Sequence, residues 1–129
     1  MQTNQIEHIK NENEEGLKIL ELMEQECIQM KTRLSRLLEH NSSNDVVDKA
    51  EHFQNQILLK EEAIILIRQD LKTQAQRIQN FNIPSGHITA QSLIEKQEQI
   101  YKQINYLKKE CLQMQEKFNE YVLKYMIQS

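Results

Sequence analysis

Few residues in this chain could do chemistry. They are two cysteines, Cys27 and Cys111, and four histidines, His8, His40, His52 and His87. Thiolates and imidazoles bind zinc only at restricted spacings, and no CxxC, no HExxH and no Glu-x-x-His of the di-iron bundles occurs here. His8 and His87 fall toward one end of the expected helices and His40 and His52 toward the other, the latter with Glu39, Asp48 and Glu51 close in sequence. Histidines beside turns are ordinary surface residues. The glycines Gly16 and Gly86 stand alone, so there is no phosphate-cradling loop. We therefore assign no catalytic, metal-binding or cofactor-binding residue and expect a non-enzyme.

The elements that carry these side chains must be long. The chain has 129 residues with two Gly, one Pro and no Trp. With so few turn formers it has few turns. Apolar residues make up 39% and the mean hydropathy is -0.70, as suits a thin helical rod. Net charge is -3, from 16 basic and 19 acidic residues. That argues against nucleic acid, whose binding rests on Lys and Arg neutralising phosphates. Acidity concentrates in residues 1–26, where seven Glu face only Lys10 and Lys18. The opening MQTNQIEHIKNENEE is no secretory leader, and no apolar run reaches the ~18 residues of a membrane span. The expectation is a soluble, cytoplasmic protein.

Two breaks, 40–45 and 80–88, divide the chain into three helices of about 4–40, 45–80 and 89–128, read as one domain over 1–129. Pro84 and Gly86 interrupt any helix through the second break. Asn4 with Glu7 reads as a capping box; Ser43, Asn44 or Asp45 can cap the second helix and Thr89 the third. Each helix carries an unbroken three-four spacing. The first runs from Ile6 through Asn13, Gly16, Cys27 and Leu34 to Leu37. The second runs from Ala50 through Ile57, Lys60, Ile64 and Gln74 to Phe81. The third runs from Leu93 through Gln97, Cys111 and Phe118 to Tyr125. This is the heptad pattern of coiled-coil packing. Leu17, Ile19, Leu38, Ile94, Tyr101 and Val122 widen the stripes. The expected fold is an all-α, elongated, antiparallel up-down-up three-helix bundle. Spectrin-type repeats share this three-long-helix plan, but without their usual core Trp the likeness is one of architecture and carries no function.

Short loops make successive helices antiparallel, which sets heights along the rod. Asn13, Gln74 and Gln97 then share one level in the seam, where three amides can satisfy one another as a buried polar layer that fixes register. Cys27 and Cys111 share another level with Lys60. They are expected to be free, buried thiols, since cysteine packs as a small hydrophobe.

The segment ILLKEEAIILI, residues 57–67, holds more apolar residues than a seam uses. Ile57, Ile64 and Ile67 fall in the seam. Leu58 and Ile65 fall at b positions and Leu59 and Leu66 at c positions, pointing outward. In the first helix Ile28 (b) and Leu22 (c) do the same at a similar height. Contiguous exposed apolar patches mark interaction sites. We therefore expect an interface of Leu22, Ile28, Leu58, Leu59, Ile65 and Leu66, with protein as the partner. The leading expectation is a homodimer of a scaffold, adaptor or assembly component; the alternative is a small chaperone that holds an amphipathic client helix.

Overall fold

The computed structural model describes residues 2–81 and 86–127, with side chains over 4–81 and 86–125. It is a three-helix bundle of α1 (Gln2–His40), α2 (Asn44–Gln79) and α3 (Ala90–Ile127), in which every helix packs on both others. No strand occurs among the described residues. None of the helices is long and apolar enough to cross a membrane. Pairs across the helices fix their directions. Glu24 and Lys31 of α1 meet Arg68 and Glu61 of α2, so numbers fall in one helix as they rise in the other. Val46 meets Tyr121 and Gln74 meets Leu93, making α2 and α3 antiparallel as well. Consequently α1 and α3 run parallel, with Gly16 near Ile104 and Arg33 bonded to Asn119.

The helix ends follow local chemistry. α1 starts at Gln2, so Asn4 lies inside the first turn and caps nothing; nothing before Asn4 forbids helical backbone. At the first turn Asn41 closes an Asx turn, its Oδ1 accepting from the Ser43 amide at 3.2 Å. Ser43 stands at the N-cap without a side-chain cap bond; its carbonyl accepts from the Val47 amide. Thr89 caps α3, its Oγ1 accepting from the Ser92 amide at 3.1 Å. Arg77 and Lys124 occupy the last turns of α2 and α3, where positive charge complements the helix dipole.

Among the seam residues named or spanned by the heptads, Ile6, Lys60, Ile78 and Phe81 are half-buried and the others are buried. Val46, one step before Ala50, joins the core with no exposure. Of the flanking residues, Val122 is buried and Leu17, Ile19, Leu38 and Ile94 are partly buried. Tyr101 is the exception at 52% exposed: it lies on the groove between α1 and α3, not under it. Gly16 faces both neighbours closely; a Cβ there would lie 3.0 Å from Ile104 Cδ1 and 3.3 Å from Leu71 Cδ2.

The molecule keeps 8903 Å² of accessible surface. A compact monomer of 15.4 kDa would keep about 7,200 Å². The excess is that of a rod whose 39-residue first helix is about 58 Å long at 1.5 Å per residue.

Candidate interaction surface

The side chains on each helix divide by angle. Seam positions enter the core, and the positions beside the seam carry the ion pairs between helices. On α2, Glu61 and Arg68 reach across to Lys31 at 2.7 Å and Glu24 at 2.6 Å of α1. On the other edge of α2, Lys60 reaches Glu110 at 3.4 Å and Asp70 meets Lys96 at 4.0 Å, both on α3. These contacts show which flank of α2 faces which neighbour. Leu58 and Ile65 lie beyond the α1-facing edge. Leu59 and Leu66 lie beyond the α3-facing edge.

All six sequence-derived surface positions are exposed: Leu22 61%, Ile28 49%, Leu58 53%, Leu59 61%, Ile65 50% and Leu66 64%. The pairs above place them in the middle third of the rod. They are not one continuous patch. Ile28 shares the α1–α2 groove with Leu58 and Ile65, over a floor of ion pairs. Leu22 lies on the α3-facing flank of α1, close in height to the exposed Leu112. Leu59 and Leu66 border the α2–α3 groove.

Sequence reasoning missed two residues near that level. Tyr106 is 66% exposed and lies one turn before Glu110. Ala63 is half-buried and packs on the core, leaving a shallow floor between Leu59 and Leu66. Its smallness and its position beside the seam were the available signals.

The remaining singled-out residues are internal. Asn13, Gln74 and Gln97 are buried at 2%, 1% and 4% exposure. Gln74 Nε2 donates to the Leu93 carbonyl at 2.8 Å and to Gln97 Oε1 at 3.2 Å. Asn13 Nδ2 donates to the Leu71 carbonyl at 2.9 Å, away from the two glutamines. Asn13 Oδ1 has no hydrogen-bond partner among the described residues. Arg77 and Ser92 extend the network outward, Arg77 donating to Gln74 Oε1 and to Ser92 Oγ.

Cys27 and Cys111 are free and buried. Burial pushes the Cys27 thiol up to about 12, with the neighbouring Cys111 and Glu61 adding to the rise. Burial likewise raises Cys111, against a lowering pull from the Lys60 ammonium. Nucleophilic and metal-binding cysteine is the thiolate; these two hold their protons at neutral pH. Among the described residues no three His, Cys, Asp or Glu side chains gather as a metal site. His8 bonds along its own helix to Glu12 at 3.3 Å, and His52 lies edge-on to Phe53.

Compared with family models, curated proteins and solved structures, the chain matches none.

Proposed function

We propose that this chain is a non-enzymatic helical scaffold or assembly component that works through protein–protein contacts, self-association foremost, made by the middle of α2. One observation carries the reading. Four large aliphatic side chains within nine residues of one helix, Leu58, Leu59, Ile65 and Leu66, are each at least half exposed. Covering apolar surface contributes ~25 cal/mol per Å². Four such side chains from each of two copies therefore supply several kcal/mol before the costs of association. Lys60, Glu61 and Glu62 interrupt the run, which suits a protein partner better than a lipid one.

Sedimentation equilibrium tests the reading. The wild type should sediment as a dimer, and Leu59→Glu or Ile65→Glu, according to which edge of α2 is covered, should shift it toward monomer with unchanged helical circular dichroism. A wild type that stays monomeric at tens of micromolar, or a dimer that neither substitution weakens, would overturn it. The chaperone reading draws on Leu22 and Leu112, exposed on a groove that an α2 contact leaves open. A chain that is monomeric and aggregates unless a partner is co-expressed would favour it.

A further inference from the structure

The polar layer does not hold its three helices equally. Around it α2 and α3 are tied directly to each other. Gln74 Nε2 donates to the Leu93 carbonyl and to Gln97 Oε1, Arg77 donates to Ser92 Oγ, and Asp70 meets Lys96. α1 is tied in by one bond, from Asn13 Nδ2 to the Leu71 carbonyl. Asn13 Oδ1 is buried with no hydrogen-bond partner among the described residues, and burying an unmet acceptor is unfavourable. Among the described residues no other hydrogen bond or ion pair joins residues 4–16 of α1 to another helix. The pair that His8 makes, to Glu12, stays on α1. Further along, Glu24 and Lys31 pair with α2 and Arg33 bonds to α3.

Apolar packing is divided the same way. Of residues 4–16, Ile9 is the one buried apolar side chain; Ile6 is half-buried, and the other two seam positions hold Asn13 and Gly16. The stretch 17–30 buries Leu20, Met23, Cys27 and Met30. Grooves of about 390 and 450 Å³ flank the first segment, toward α3 and toward α2. Gly16 ends that segment. Inside a helix, glycine favours helical backbone less than any residue but proline, so Gly16 is the weak link of α1. A helix of about a dozen residues is marginal once it leaves its neighbours.

We propose that residues 4–15 of α1 form a latch: they detach and unwind as one unit up to Gly16, while α2, α3 and the rest of α1 stay folded. Opening uncovers the seam beneath the latch at Leu71, Gln74 and Gln97. The two glutamines keep their bonds to each other and to Leu93, because none of those bonds involves α1. The device is a cover over one end of the α2–α3 hairpin, poised to open without loss of the fold.

Native-state hydrogen exchange tests the latch on the unaltered chain. After correction for intrinsic rates, amides of residues 7–14 should exchange at least roughly a hundredfold faster than those of residues 27–37 and 97–104. They should share one level of protection, with a step near Gly16. A gradient that climbs smoothly from the N-terminus past Leu20 is ordinary fraying and overturns the proposal, as does protection of residues 7–14 equal to that of 27–37. Thiol labelling tests what opening uncovers. Leu71 and Leu34 are both buried to 1% exposure or less; Leu71 lies against Gly16 at the latch and Leu34 lies far from it. Under native conditions Leu71→Cys should react at least about tenfold faster than Leu34→Cys, with Cys27 and Cys111, both buried, staying slow. Equal rates at the two positions, or a faster Leu34→Cys, mean that opening does not uncover the hairpin and overturn the proposal.

Discussion

Where α1 turns into α2, the seam is filled by rings. Phe118 lies edge-on to Phe53 at 5.4 Å, Phe53 packs on Tyr121 at 5.0 Å, and Tyr121 on Tyr125 at 5.3 Å. The Arg33 guanidinium covers Phe118, and Lys49 and Lys124 cover Tyr125. At the opposite end the same kind of seam position holds Asn13, Gln74 and Gln97. The aromatic end is held by area and shape, which tolerate small shifts of register. The amide end is held by directed bonds, which do not: moving α2 by one turn would part Gln74 from the Leu93 carbonyl. Grooves flank the amide layer, one of about 390 Å³ between α1 and α3 and one of about 450 Å³ between α1 and α2. The two ends divide the labour: the rings bury area, and the amides make directed bonds that suit one alignment.

Substitutions can break that division. The largest loss should come from Phe118→Ala, since Phe118 is fully buried; urea unfolding should lose about 3–5 kcal/mol. Gln74→Ala should cost less, about 1–3 kcal/mol, from the buried Gln97 Oε1 it leaves without a donor. Replacing Asn13, Gln74 and Gln97 together by Leu is the sharper case. Removing all partners at once should leave stability near wild type or above it. The amide NMR spectrum should then show more than one state, as register loosens. An equally stable triple variant with a single sharp spectrum would show that the amides do not select alignment.

Tyr121→Phe should cost about 1 kcal/mol. The ring stays, and only the hydroxyl donated to the Val46 carbonyl at 2.7 Å is lost. An effect confined to alkaline pH should come from the level between the two ends. Cys27 titrates near 9.0 when unfolded and is pushed up to about 12 when folded. Below pH 9 it therefore costs no stability. Between 9 and 12 the unfolded chain loses a proton that the folded one keeps, so stability falls as pH rises. Thermal melts of Cys27→Ala should decline less steeply over that range than those of wild type.

The three-four spacing explains why the fold was legible. Side chains on one stripe of each helix must find apolar neighbours, and turn formers are confined to two places. The depth of Phe118, Leu71 or Ile100 follows from that spacing alone. Two short breaks then set the heights, which bring Gln74 level with Gln97 and Cys27 level with Cys111. The candidate surface was legible in part. The b and c positions of Leu58, Leu59, Ile65 and Leu66 required exposure, but nothing in their spacing told whether they form one patch or border two grooves.

The sequence by itself determined how far each residue turns from its own helix's seam, because that angle is fixed by helical geometry. Only the tertiary structure decided which neighbour lies on which side. A bundle turning to the left and one turning to the right bury the same stripes, so the heptads do not choose between them. That choice sends Lys60 to Glu110 and Glu61 to Lys31. It carries Arg77 to Ser92. It also sets Leu58 and Ile65 beside the ion pairs with α1 and Leu59 and Leu66 beside those with α3.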